Sequence, residues 1–297
     1  MIKIKKIYTI LSKKKEANSI IEKKFSLKRN SIKRLTGIKR RYISGVNETS
    51  EGNAVKVCKK IPKNYVKNIS HIIGVTNTPS IKFPGISNYV SSELKLENVH
   101  CLNLNLGCTG YVDAISLAYD IINSDKKNKV LIVTSDTYSK FISKNNKSIR
   151  PLFSDGASAT IVEHSKIGFK IQSRRFKNVP NTQNDLIFKD YITMNGPAVV
   201  SFAIKNVIPV LRENQKKTRV IYLHQAGKII VDLIKKNFDK KIFVPENFSK
   251  YGNLVSGSLP FLIKESFKSF NRSKKIIICG FGVGLSYSTL ILKKNSV

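Results

Sequence analysis

Residues 104–122 read LNLGCTGYVDAISLAYDII, a passage from strand-like alternation into a helix with a lone cysteine, Cys108, at the junction. Beyond it, Tyr111, Ala114, Ile115, Ala118, Ile121 and Ile122 recur at the i, i+3, i+4, i+7 spacing of a helix with a buried face. A cysteine at a strand-to-helix junction has backbone N–H groups and the positive end of a helix dipole near its sulfur. That setting favours the thiolate, the nucleophilic form. Gly107 and Gly110 allow a substrate close to the backbone. The same position also suits a buried, inert cysteine, and this stretch alone does not separate the two.

Strand and helix signals alternate on both sides of it. The runs 69–77 (ISHIIGVTN), 99–107 (VHCLNLNLG) and 128–136 (NKVLIVTSD) are β-branched and apolar, as buried strands are. Residues 157–165 and 168–176 read as a hairpin. In the second half, Asn195 is placed to cap a helix with Pro197 in its first turn, and that helix runs to Asn214. A strand over 218–224, helices over 225–238 and 256–270, and closing strands over 274–282 and 285–294 follow. Each half offers strand–helix–strand units ending in paired strands. This predicts an α/β fold of duplicated design, with the seam near Lys166–Gly168.

The chain has 297 residues, enough for a full core. No stretch approaches the ~20 apolar residues of a membrane-spanning helix. The basic N-terminus has an apolar run only from Ile7 to Leu11, which reads as a first strand rather than a signal peptide. A cytoplasmic location without membrane association is the expectation. Cys58, Cys101, Cys108 and Cys279 lie far apart and form no CxxC pair, so neither a zinc site nor a disulfide framework is expected. Lys and Arg total 53 against 19 Asp and Glu, a formal charge of +34. Nucleic acid is one reading of such a charge. The basic residues are spread along the whole chain and no nucleic-acid module is present, so compositional bias or an acidic protein partner is favoured.

Three further features carry chemistry. His224 ends the strand VIYLH, and strand ends are where α/β sites gather; alone it reads as a satisfied histidine at a helix start. Asn253, in YGNLVSG, alone reads as a turn. The run GFGVG (280–284) lacks the spacing of a dinucleotide fingerprint and is followed by only 13 residues, too few for a βαβ unit. It remains a glycine turn able to bring backbone N–H groups to a ligand, or a plain hairpin.

Taken together and in order, these segments resemble the β-ketoacyl-acyl-carrier-protein synthase III family nearly end to end. The resemblance is carried by LTGIKRRYISGVNET (35–49), KFPG (82–85), GCTGYVDAISLA (107–118), LFSDGASATIV (152–162), MNGPAVVSFAIKNVIP (194–209), HQAG (224–227), YGNLVSGSLP (251–260) and CGFGVGLS (279–286). It implies a thiolase-like α/β fold of two duplicated βαβαβαββ halves in a five-layer αβαβα arrangement. Residues 1–166 would form the half carrying the nucleophile, and 167–297 the half carrying His and Asn.

The resemblance also implies roles. Cys108 takes an acyl group from an acyl-coenzyme A or acyl-carrier-protein thioester. His224 and Asn253 stabilise the enolate formed as malonyl-acyl carrier protein loses carbon dioxide. The amides of Cys108 and Gly284 form the oxyanion hole, and Gly282 and Gly284 border the substrate. Phe83 reaches into the pocket of a partner subunit in a homodimer. Lys228, Lys235 and Lys236 are expected to dock the acidic acyl carrier protein. No cofactor or metal is implied. The alternative on the same fold is an acyltransferase or thioesterase that uses Cys108 and His224 without condensation.

The chain departs from the family pattern in several places. It has no Trp, HQAG stands for HQAN, FSDG stands for FGDG, KNNKSIRPLF lacks an Asp-Arg pair, and the Arg212–Arg219 link is short. These departures weigh against coenzyme A as donor. They point to a specialised member that makes a short 3-oxoacyl group for a secondary route such as glycan decoration.

Overall fold

The computed structural model describes residues 1–216 and 218–294, so Lys217 of the 212–219 link lies outside the described residues. Nine strands form one sheet: β1 (Ile2–Leu11), β4 (His71–Val75), β5 (His100–Leu104), β6 (Lys129–Asp136), β7 (Gly156–His164), β8 (Phe169–Asn178), β11 (Val220–Leu223), β12 (Lys275–Gly282) and β13 (Ser286–Lys294). Two small antiparallel pairs lie outside it: β2 (Lys14–Ala17) with β3 (Arg40–Ile43), and β9 (Leu186–Phe188) with β10 (Ile192–Met194).

The order across the sheet is β11-β12-β13-β8-β1-β7-β6-β4-β5, and its two ends repeat one pattern. In the first half β5 and β6 flank β4 in parallel, and β7 and β1 follow antiparallel. In the second, β12 flanks β11 in parallel, and β13 and β8 follow antiparallel. The counterpart of β5 is reduced to a single parallel bridge between Val220 and Phe243. Within the sheet, strands of the two halves pair at Ile2 with Phe169.

This join corrects the hairpin expected over 157–176. β7 and β8 do not pair with each other, because β1 returns from the N-terminus and lies between them. The helix expected over 256–270 is also broken, into Ser258–Glu265 and Phe267–Arg272. Asn195 caps its helix as expected, its Oδ1 accepting the N–H of Ala198 at 3.3 Å.

Alternation along the strands builds the layers. Ile73, Val75, Val130 and Ile132 of one half-sheet, and Tyr222, Ile276 and Ile278 of the other, face a shared central core. The helices Gly110–Ser124 and Ser258–Glu265 fill that core. Tyr111, Ala114, Ile115, Ala118 and Ile122 are fully buried there, as befits a helix covered on all sides. The opposite faces pack outward. Ile72, Leu131 and Val133 meet the helices Ser50–Cys58 and Ile86–Glu93. Ile221, Leu223 and Ile277 meet the helical run from Gly196 to Asn214 and the helix Lys228–Lys235. The result is helix, sheet, helix, sheet, helix.

A Cβ on Gly168 would collide with the backbone carbonyl of Ile2 at the join. Gly168→Ala is therefore expected to cost about 1–3 kcal/mol by overpacking against backbone that cannot yield. Thermal unfolding checks this: a melting temperature several degrees lower is expected, and an unchanged one would count against the join as a rigid contact.

Candidate active site

Cys108 sits in a tight turn, Gly107–Thr109, that opens the central helix Gly110–Ser124. It is 4% exposed. The second half supplies what surrounds it. A Cβ on Gly280 would lie 2.5 Å from the Cys108 carbonyl oxygen, and one on Gly282 would lie 3.0 Å from Sγ. Only glycines let the end of β12 pass this close.

The turn after β12 then aims an amide at the sulfur. The N–H of Val283 bonds Sγ, and that of Cys108 itself lies beside it. Gly282 at φ 154° and Gly284 at φ 66° shape this turn. The carbonyl of Gly284 faces Thr182, accepting its Oγ1–H at 3.1 Å.

Burial, reinforced by the charge of Asp136, pushes the Cys108 thiol up to about 12, against the two N–H donors. Burial thus opposes the thiolate that the helix terminus favours. The sequence displays the helix terminus but not the depth of burial that outweighs it.

His224 follows β11 and is 1% exposed. Its backbone N–H bonds the Cys279 carbonyl at 2.9 Å. Its ring stands edge-on to Phe281, with centroids 5.6 Å apart. Burial lowers its pKa to about 3, so the imidazole is neutral across the physiological range. Its Nδ1 is buried without a hydrogen-bond partner among the described residues.

Asn253 is 5% exposed. Its backbone is clamped between Leu152, whose carbonyl accepts its N–H at 2.9 Å, and Ser154, whose N–H reaches its carbonyl at 2.8 Å. Its Oδ1 accepts from the Val255 N–H at 2.9 Å and from Ser258 Oγ at 3.4 Å. Those bonds fix the carboxamide and leave Nδ2 as its uncommitted donor.

Cys108, His224, Asn253 and Gly282 line one cavity of about 530 Å³. Two supporting residues escaped the sequence reading. Gln225 donates through Nε2 to the Leu223 carbonyl at 2.9 Å and accepts the N–H groups of Asn247 at 2.8 Å and Phe248 at 3.3 Å. It ties the strand of His224 to the segment leading to Asn253. Asp136, at the end of β6, accepts from Ser256 Oγ at 2.5 Å and the Asn77 N–H at 2.8 Å, bridging the halves beside Cys108. Burial raises its pKa to about 6. A lone acid ending the apolar run VLIVTSD was the available signal.

Other predicted residues lie apart. Phe83 is 84% exposed and outside the cavity. Lys228 lines the cavity, and its ammonium pairs with Asp232. Lys235, farther along the helix, pairs with Glu246 at 2.5 Å, and Lys236 does not line the cavity. Among the described residues, no group of three or more His, Cys, Asp or Glu side chains could hold a metal ion. No helix among them is long and apolar enough to cross a membrane.

A layered α/β fold with Cys, His and Asn converging on one tunnel defines a condensing enzyme of the thiolase-like class. The family model for 3-oxoacyl-[acyl-carrier-protein (ACP)] synthase III matches residues 102–178, and the model of its C-terminal part matches 213–294. The chain is 30% identical over 292 aligned residues to the beta-ketoacyl-[acyl-carrier-protein] synthase III of Clostridium perfringens (strain 13 / Type A), covering 88% of this chain and 90% of that one. It is 29% identical over 286 residues to the enzyme of the same name from Streptococcus agalactiae serotype III (strain NEM316), covering 87% and 88%. The solved 3-oxoacyl-[acyl-carrier-protein] synthase III from Aquifex aeolicus VF5 superposes with a TM-score of 0.90 at 26% identity, over 99% of this chain and all of that one. The chain belongs to the 3-oxoacyl-[acyl-carrier-protein] synthase III family.

With its thiol pKa above the working range, Cys108 is expected to react with iodoacetamide about tenfold faster per pH unit between about pH 6 and about pH 9. Peptide mapping at Cys108 reads this directly. A rate that levels off below about pH 8 would mean a stabilised thiolate instead.

Proposed function

We propose that this protein condenses an acyl group held on Cys108 with a malonyl group presented by acyl carrier protein. The observation that carries the reading is the pairing of a neutral His224 with an Asn253 whose Oδ1 is already tied off. Two uncharged donors suit a developing enolate better than a thiol nucleophile needs them.

In the first step the Cys108 sulfur attacks the donor thioester. The new S–C bond forms as the old one breaks, and the thiol proton leaves by way of His224 to the departing pantetheine sulfur. The amides of Cys108 and Val283 stabilise the tetrahedral oxyanion. In the second step the malonyl C–CO₂ bond breaks. Its electrons become an enolate whose oxygen accepts from His224 and from Asn253 Nδ2. The enolate carbon attacks the acyl-Cys108 carbonyl, and the Cys108 sulfur leaves to give a 3-oxoacyl thioester, then takes up a proton from solvent to restore the thiol. Preorganised donors of this kind typically contribute about 10²–10³-fold each.

The roles divide cleanly, which makes them testable. Cys108→Ala is expected to lose the covalent acyl adduct in intact-protein mass spectrometry yet to release carbon dioxide from malonyl-carrier protein. His224→Ala and Asn253→Ala are each expected to slow that release by about 10²–10³-fold. Loss of decarboxylation in Cys108→Ala would contradict the division. A pure acyltransferase or thioesterase would show the adduct and no carbon dioxide.

The active unit we propose is a homodimer formed along the edge strand β5. That edge is unpaired in the single chain, and Ile81, Phe83 and Leu106 are exposed near it. The loop of Phe83 adjoins β5, since Gly85 packs on Asn103. An uncovered apolar edge of this kind invites a second copy. Sedimentation is expected to give a dimer, and Phe83→Asp to weaken it or its activity; a stable, active monomer would sink the proposal. The carrier protein is acidic and would be drawn by the +34 charge. Lys236 is the better docking candidate of the three lysines, because Lys228 and Lys235 already face Asp232 and Glu246.

A further inference from the structure

A second cavity of about 250 Å³ adjoins the nucleophile and differs from the tunnel in character. Val283, whose N–H bonds Cys108 Sγ, forms part of its wall, with Leu186 and Ile192 beside it. Both of these belong to the side-chain cluster around Cys108. Asn77 lines the cavity too and packs so tightly on Gly107 that no Cβ could fit there. The cavity thus shares its walls with the side chains packed around Cys108.

One end of it is polar. The hydroxyl of Tyr138 donates to Asn77 Oδ1 at 3.2 Å. Asn77 is fixed in turn, its backbone N–H on Asp136 Oδ1 at 2.8 Å and its Nδ2 on Asn105 Oδ1. Tyr138 is only 3% exposed and stacks against Phe153, with centroids 5.0 Å apart. A phenol has one hydrogen to donate and lone pairs to accept with. Here the hydrogen is committed to Asn77, and no donor among the described side chains bonds the oxygen. The open capacity is that of an acceptor. A plain alkyl chain filling the cavity would leave that acceptor capacity unused, whereas a hydroxyl would use it.

We propose that this pocket selects a short hydroxyacyl starter group, with Tyr138 accepting the hydrogen bond of its hydroxyl. The inference rests on Cys108 being the acyl acceptor and adds the class of acyl group. A site that bonds a substrate hydroxyl discriminates against the analogue that lacks it. A preference of at least about tenfold is expected.

The test compares acylation rates of Cys108 by butyryl-, 3-hydroxybutyryl- and 4-hydroxybutyryl-carrier protein, read by intact-protein mass spectrometry. The wild type is expected to take one hydroxybutyryl group at least about tenfold faster than butyryl. In Tyr138→Phe, which keeps the ring and its stacking, that ratio is expected to fall to near one. A general packing role for Tyr138 would change all three rates together and leave the ratio alone. Equal or faster butyryl transfer in the wild type overturns the inference, as does a preference that survives Tyr138→Phe. Adducts from none of the three would instead overturn the role of Cys108, and this inference with it.

Discussion

Everything in the site depends on the close passage of the glycine-rich end of β12 over Cys108. The nucleophile comes from the first half of the chain, and the amide that bonds its sulfur comes from the second, through Val283. That approach is possible only because Gly280 and Gly282 present no side chain to the Cys108 backbone and sulfur. Asp136 reinforces the contact from below, joining β6 to Ser256 of the other half. The duplication thus produces a site that neither half contains alone, with Cys108 on one side and His224 and Asn253 on the other.

Burial sets the protonation states of that site. It holds His224 neutral and Cys108 protonated at rest. A neutral imidazole cannot stabilise a resting thiolate by charge, but it can take a proton and can donate a hydrogen bond. A charged imidazolium would stabilise an enolate too well to let it attack. Hydrogen bonds made away from bulk water are also strengthened.

Much of this was legible from the chain. The central helix was readable because Tyr111 to Ile122 keep one period, and Asn195 was readable as a cap because Oδ1 acts locally. The strands over 71–75, 100–104 and 129–136 were visible as apolar runs. The failures share a cause, which is dependence on distant partners. β7 and β8 look like a hairpin until β1, far away in sequence, is placed between them. The thiolate expected at Cys108 followed from its helix terminus, while the opposing burial comes from residues of both halves. Asp136 and Gln225 have no motif of their own; their importance lies in what they join.

The most direct test of the account is the fate of the acyl group once malonyl-carrier protein is supplied to acylated wild-type enzyme. Mass spectrometry of the carrier protein, alongside measured carbon dioxide, follows it completely. The account predicts a 3-oxoacyl-carrier product extended by two carbons, with one carbon dioxide released for each product formed. Carbon dioxide without that product, or an acyl group passed to water or another acceptor without chain extension, would contradict it.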